Sequence, residues 1–310
     1  MGEEIQNRPK RSPWLRVRTI AALAVIVALL SVACDARRAE AVRYYNEGML
    51  AFELGNSSQA VGFMEQALEE DPTFTEAAYT LGQVYQQRMG DSQGAINAYR
   101  RALDHQPEDP RFAYRLATAL ADAGEHRQAI RYYDQAIRHY PPYALAFYGK
   151  ARSQEADGQF LAAANSYGDS IRINPRLRMA ADDIGGEHYH ALADLYLRFR
   201  LYDHAVRVYE NGVRNNPEAV RLYHGLGISQ MYMNRHAEAV ESFREALNRD
   251  PSHGSANFNI AVAMYESGDL ESAITQLTKL IEEGGSGMSG PRRQAAEALL
   301  EDLTAERDEE

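Results

Sequence analysis

Ala129-Ile130-Arg131-Tyr132-Tyr133-Asp134-Gln135-Ala136-Ile137-Arg138-His139-Tyr140-Pro141 is the stretch on which the reading of this chain turns. Ala129, Tyr133 and Ala136 are spaced by four and three residues, which puts them on one face of a helix. Pro141 ends that helix, because proline lacks an N–H and clashes with the preceding turn. The figure recurs along the chain. Pro72, Pro107, Pro141, Pro175, Pro217 and Pro251 follow one another at intervals of 35, 34, 34, 42 and 34 residues. Twelve residues before each stands an alanine: Ala60, Ala95, Ala129, Ala163, Ala205 and Ala239. Four residues on comes a bulky side chain (Met64, Tyr99, Tyr133, Tyr167, Tyr209, Phe243), and three further a small one (Ala67, Ala102, Ala136, Ser170, Gly212, Ala246). Such a period marks an array of stacked units, in which each unit buries its face against its neighbours rather than in one central core.

A second helix is expected upstream in each unit. It carries a leucine followed by a small residue (Leu81-Gly82, Leu116-Ala117, Leu192-Ala193, Leu226-Gly227), with Tyr85, Leu120 and Tyr196 three residues after the small one in the first three. The small residue lets the paired helices approach, and the large ones fill the layer between them. Gly55, Gly124, Gly158 and Gly268 stand where this first helix stops, the usual place of a helix-ending glycine.

Large residue, Leu-Gly/Ala, Tyr, then Ala, aromatic, Ala and Pro: this order resembles the tetratricopeptide repeat. The resemblance implies an all-α, right-handed superhelical solenoid of about seven helix–turn–helix repeats, starting at residues 41, 75, 110, 144, 186, 220 and 254 and covering 41–283. Three departures stand out. Repeat 1 has Glu47 where leucine is usual, repeat 2 has one extra residue around Met89-Gly90-Asp91, and repeat 7 ends on Gly284-Gly285 with no closing proline.

The chain of 310 residues carries a formal net charge of −11. Its first 34 residues are net positive, with Arg8, Lys10, Arg11, Arg16 and Arg18 against Glu3 and Glu4, so the remainder carries −14. Nucleic acid is not an expected partner, since its phosphates call for a basic stripe. Cys34 is the sole cysteine, which excludes an intrachain disulfide and a zinc site built from several cysteines.

Residues 19–34 form an uncharged run behind Arg16 and Arg18. At 16 residues it is short for a bilayer-spanning helix, which needs roughly 20, and it has the build of a secretory signal. Its end, Leu30-Ser31-Val32-Ala33-Cys34, resembles the lipobox of bacterial lipoproteins, although Ser31 stands where leucine is usual. That resemblance implies cleavage before Cys34 and lipidation of its thiol. An uncleaved anchor and plain secretion are the alternatives. With cationic residues held on the cytoplasmic side, the repeats are expected to face the periplasm of a bacterial envelope, anchored in the membrane. Asp35 leans this towards the inner membrane, with the outer membrane as the other option.

Two breaks are visible. Residues 178–185 are an insertion between repeats 4 and 5, and 284–290 are a flexible glycine-rich linker. After the linker, 291–305 is expected to be a capping helix with Ala295, Ala296, Leu299, Leu300 and Leu303 on one face, or else a helix that enters the protein's own groove. Residues 306–310 are expected to be a solvated acidic tail.

No Gly-rich phosphate loop, Gly-x-Ser-x-Gly elbow or His-Glu-x-x-His motif occurs. A non-enzymatic protein with no cofactor and no metal is expected. His188 and His190 lie two apart on a helix and so point in different directions. The family resemblance implies that each first helix lines a concave groove, with its fifth position pointing inward. Those positions hold Tyr45, Tyr79, Tyr114, Tyr148, His190, His224 and Phe258. The same face is polar in mid-chain and turns apolar again at Ile228, Met231, Val262 and Tyr265. Rings with polar tips suit recognition surfaces. The carboxylate clamp of some family members is not expected, because Tyr45, Met49 and Thr80 occupy its places; only Arg111 and Arg115 remain to contact an acidic group. The expected role is a membrane-anchored adaptor or scaffold that holds a peptide or helix of an envelope protein. Self-association into an oligomer is the alternative.

Overall fold

The computed structural model describes residues 35–178, 185–282 and 290–309. The amino-terminal segment with Cys34, insertion residues 179–184 and residues 283–289, which include all of the expected 284–290 linker but Gly290, lie outside these. All regular structure in the described residues is helical. The helices are α1 (35–53), α2 (Ser57–Glu70), α3 (Thr75–Val84), α4 (Ser92–His105), α5 (Pro110–Asp122), α6 (His126–His139), α7 (Ala144–Ala156) and α8 (Phe160–Ile173). They continue as α9 (Glu187–Arg198), α10 (Tyr202–Asn215), α11 (Val220–Met231), α12 (His236–Arg249), α13 (Gly254–Glu266), α14 (Leu270–Glu282) and α15 (Gly290–Glu309).

The periodic prolines act through the residue before them. Asp71, Gln106, Tyr140, Asn174, Asn216 and Asp250 each cap a second helix, with φ between −142° and −131°. A proline ring excludes helical backbone from the residue preceding it, so each second helix stops at the same place and the chain leaves extended.

Two compact units divide the chain at Gly124. In the first, α2 packs on α3, α3 on α4 and α4 on α5. Ala60, Met64, Ala67, Ala95, Tyr99 and Ala102 have no exposed surface. The extra residue of repeat 2 is absorbed by a π-helical turn, Tyr85–Met89, at the end of α3, where the Asp91 N–H donates to Tyr85 O at 3.0 Å. A wide turn of this kind takes in one residue without displacing the helix. Arg101 donates to Leu68 O at 2.9 Å and to Pro72 O, tying repeat 2 to repeat 1. Glu47 stays near the surface and pairs with Arg43 at 2.6 Å. Helix α1 already includes residues 35–40, upstream of the expected start at 41. There Arg38 pairs with Asp71 and lies 4.1 Å over the Phe74 ring.

In the second unit each helix from α6 to α15 packs on the next, and the first helices α9, α11 and α13 also touch in succession. The triads continue: Ala163, Tyr167 and Ser170, then Ala205, Tyr209 and Gly212, then Ala239, Phe243 and Ala246 are buried. Asn216 donates to Pro175 O at 3.1 Å, and Arg249 to Pro217 O. Helix α14 forms without a closing proline because Ala273 and Leu277 are fully buried. Helix α15 packs on α14, burying Ala296 and Leu303 against Ala261, Ala273 and Leu277. It runs to Glu309, so residues 306–309, expected as a tail, are exposed helix.

The turn between the two helices of a repeat needs left-handed backbone. Gly55, Gly124, Gly158 and Gly268 supply it with φ between +78° and +85°. Repeats 5 and 6 place Arg200 (φ +57°) and Asn234 (φ +56°) there instead. A side chain in this region costs roughly 1–2 kcal/mol, least for asparagine. Arg200 therefore carries a strain that the glycine of repeats 1, 3, 4 and 7 avoids.

Candidate functional site

The seven first-helix rings, three in the first unit and four in the second, are alike in their degree of burial. Tyr45, Tyr79, Tyr114, Tyr148, His190, His224 and Phe258 are all half-buried. Their helices place them by register, and a buried ring holds most of them by contact.

In the first unit, Tyr45 of α1 meets Phe74 at 5.1 Å between ring centroids. Tyr79 of α3 lies between Tyr99 (5.8 Å) and Phe112 (5.4 Å), and its hydroxyl oxygen accepts from Arg115 Nε at 3.3 Å. Burial pushes the Tyr114 hydroxyl above its usual pKa, which leaves the phenol a neutral donor. Gln86 continues the polar part: Tyr99 Oη donates to its Oε1 at 3.1 Å, and its Nε2 donates to Asp122 at 2.7 Å. Arg111 is already engaged, with Nη2 2.6 Å from Asp109. Of the two arginines expected to contact an acidic group, Arg111 is spoken for by a carboxylate and Arg115 by a phenol.

In the second unit, Tyr148 of α7 meets Tyr167 at 5.7 Å, and Tyr167 donates to Glu155 at 2.8 Å. His190 of α9 has Nδ1 3.0 Å from Tyr209 Oη. Burial first, then the Arg221 charge, lowers its pKa. His188 is fully buried against Tyr189, so the two neighbouring histidines serve different surroundings. His224 of α11 meets Phe243 at 5.6 Å and His253 at 4.8 Å, and the Asn259 side-chain amide lies 3.1 Å from its Nε2. Burial pushes His224 down to about 4, helped by His253, Arg292 and His190.

The apolar end is less open than its sequence suggests. Ile228 and Met231 pack onto the cluster of Phe243, Ile260 and Ala263. Phe258 and Tyr265 pack in the cluster that receives Leu299 and Leu300 of α15, and Tyr265 donates to Glu306 at 3.1 Å. Val262 is half-buried. Helix α15 takes the place that the first helix of a further repeat would fill, and it covers part of this end.

One group of exposed residues escaped the sequence reading. Phe160 and Leu161 open α8, Phe199 and Leu201 flank the turn before α10, and Tyr232 follows α11. The signal was available by comparing equivalent turns. Repeats 1, 2 and 3 have Asn56-Ser57-Ser58, Asp91-Ser92-Gln93 and Glu125-His126-Arg127 there, whereas repeat 4 has Gln159-Phe160-Leu161 and repeat 5 Leu201-Tyr202-Asp203.

Among the described residues no group of three or more His, Cys, Asp and Glu side chains is placed to hold a metal ion, and no helix is long and apolar enough to cross a membrane. Paired helices with a row of half-buried rings define a repeat protein of the kind that offers a surface rather than a reaction pocket. Four tetratricopeptide repeat models match residues 41–74, 88–152, 189–221 and 224–287. Together they span more than half of the chain, which belongs to the tetratricopeptide repeat family. The peroxisomal targeting signal receptor of Saccharomyces cerevisiae is 25% identical over 242 residues, 76% of this chain and 39% of the receptor. The chain thus spans about two-fifths of that curated relative's length. Among solved structures, a tetratricopeptide repeat protein from Parabacteroides merdae superposes with a TM-score of 0.54 at 15% identity, covering 86% of this chain and 99% of that one. Pseudomonas aeruginosa pilF gives 0.53 at 20% identity, covering 70% and 94%. These two likenesses concern the fold. The chain is a helical-repeat protein of the protein–protein interaction type.

Proposed function

We propose that this protein is a membrane-anchored adaptor that holds an extended or helical segment of an envelope protein against its first helices. The observation that carries this is the half-buried state of all seven first-helix rings. A ring fixed on one side by a neighbouring aromatic and open on the other contributes contact area at little entropic cost. A targeting-signal receptor among the relatives supports the same use of the fold. Anchoring is read from the apolar segment 19–34 and from Cys34 as the lipid-bearing residue, with the repeats on the periplasmic side of a bacterial inner membrane. In this reading Arg115 contacts an acidic group of the partner, since its hydrogen bond to the neutral Tyr79 phenol leaves its charge uncompensated.

The test is in-cell photo-crosslinking from position 83 or 194 on the first-helix face, in the full chain. Tyr114→Ala and Tyr148→Ala are each expected to lower the yield of one crosslinked partner at least ten-fold while the melting profile keeps its shape. If the yield is the same in both variants, binding at the rings is wrong. In the same preparation, mass spectrometry of the peptide beginning at Cys34 is expected to show diacylglycerol on sulfur. A peptide that continues upstream of Cys34 would leave the uncleaved anchor in its place.

A further inference from the structure

The last helix brings to the ring face an arginine that no acid answers. Arg292 lies in the first turn of α15, donates to the Ser255 hydroxyl of α13 and makes no ion pair among the described residues. Ser255 stands three residues before Phe258, which places this contact on the face that carries the rings. On α15 itself the positions three and four residues on are Ala295 and Ala296, and Glu297 is taken by Arg293 at 3.0 Å. Helix α11 has no carboxylate, and α13 has only Glu266, its last residue, about 16 Å along the axis from Ser255. Arg221 of α11 is paired with Glu187. One positive charge is left over.

Beside it stands a half-buried imidazole. The Asn259 amide donates to His224 Nε2 at 3.1 Å, which leaves the ring proton on Nδ1. The groups that face His224 are Phe243 from α12, His253 and Asn259 from α13 and its cap, and, through their charges, Arg292 from α15 and His190 from α9. None of these is an acid. A bilayer or a nucleic acid calls for several uncompensated cations in a row, which α11, α13 and the start of α15 do not supply. A single guanidinium beside an N–H donor suits one carboxylate.

We infer that the carboxyl-terminal end of the ring face is a carboxylate site, where Arg292 and His224 together hold an acidic side chain or the terminal carboxylate of a bound peptide segment. This site rests on the proposed function in one respect: the rings carry the rest of the segment. None of its residues stands in repeats 1 to 3, where Tyr45, Met49 and Thr80 occupy the places of the family's clamp, and Arg292 lies outside the repeats altogether. Binding is linked to a proton. At pH 7 His224 is neutral, held down at about 4 by burial first and then by His253, Arg292 and His190, and Arg292 supplies the attraction. A carboxylate against the ring favours its charged form. The bound state therefore takes up a proton that the free state refuses, and affinity rises as pH falls from 7 towards 5.

The experiment is selection of a random peptide display library on the full chain in detergent, followed by titration of synthetic copies of the enriched peptides. The enriched class is expected to hold an acid at one fixed place. Its copies should bind Arg292→Gln at least five-fold more weakly than wild type, with Arg292→Lys in between. Arg292 is exposed, so the thermal melts of both variants should match wild type. Between pH 7 and 5 the affinity of wild type should rise at least about three-fold, and that of His224→Gln should stay level. Copies with a free or an amidated carboxyl terminus tell the two sources of the carboxylate apart, since only a terminal one is lost on amidation. If no enriched class depends on Arg292, or if wild-type affinity does not rise towards pH 5, the inference is overturned. Failure of the ring ladder would show separately, as peptides that depend on Arg292 but bind Tyr148→Ala as tightly as wild type.

Discussion

Tyr209→Ala is expected to destabilise the second unit by about 3–5 kcal/mol, the range for removing a fully buried aromatic ring. The upper part of that range applies for a local reason. Tyr209 is 1% exposed, in a cluster with Tyr189, Val206, Leu222 and Leu226. Its ring fills the space left by Gly225, where an added Cβ would come within 2.3 Å of it. Neither glycine nor the new alanine can grow into the void, so the site cannot collapse around the loss. Tyr209→Phe removes only the hydroxyl that meets His190 Nδ1 at 3.0 Å, and should cost about 1 kcal/mol. Because stacked repeats couple chiefly to their neighbours, the alanine variant should also broaden or split the urea transition of the full chain. A Tyr209→Ala protein within about 1 kcal/mol of wild type, with one sharp transition, would contradict this packing.

The second large effect is a loss of stability between pH 6.5 and 4. His224 has its pKa pushed down to about 4 by burial, with the His253, Arg292 and His190 charges adding to it. Above pH 6.5 the ring is neutral both folded and unfolded, and pH has no effect through it. As pH falls below 6.5 the unfolded chain takes up a proton that the folded chain refuses, so stability drops until about pH 4 and then levels. At about 1.4 kcal/mol for each pH unit, His224 accounts for roughly 2–3 kcal/mol over this window. His190 acts in the same direction. Asp71, Asp109 and Asp157 have lowered pKa values; their contribution is present above their unfolded values and is lost only as pH falls below about 4. Glu40 and Glu238 are lowered too, by Arg43 and Arg235, and their contribution starts to fall near pH 4.5, so the window between 6.5 and about 5 isolates the histidines. His224→Gln should flatten the fall in urea midpoint from pH 7 to 5, and an unchanged slope in that variant would rule the assignment out.

The alanine–aromatic–small triads and the prolines were legible because two strong local rules coincide there, a helical period of burial and the exclusion of helix before proline. The triad positions are buried in both units. The extra residue near Gly90 could be counted from the sequence, but not the π-helical turn Tyr85–Met89 that absorbs it, since that depends on how α3 sits against α4. The rings at positions such as Tyr79 and His224 were legible as positions through the family pattern. Their partners were not, because the Arg115–Tyr79 and Asn259–His224 contacts join residues 36 and 35 apart. Arg111 shows the opposite case: its carboxylate lies two residues away, yet the pairing needs the geometry of a helix start to be seen. The exposure of Phe160 and Phe199 lies outside the family pattern, which ranks interior positions and is silent about turns.

Helix α15 has a consequence for assembly. The bare end of a helical stack is complementary to the start of another, and such heterologous contacts, if they do not close, grow without limit. Here the last layer is sealed by Ala296 and Leu303, while Arg293, Glu297, Glu301 and Asp302 face outward. The terminal plane is thus hydrophilic and like-charged towards its copies. Head-to-tail addition of a copy at this end would have to bury those charges, which disfavours it.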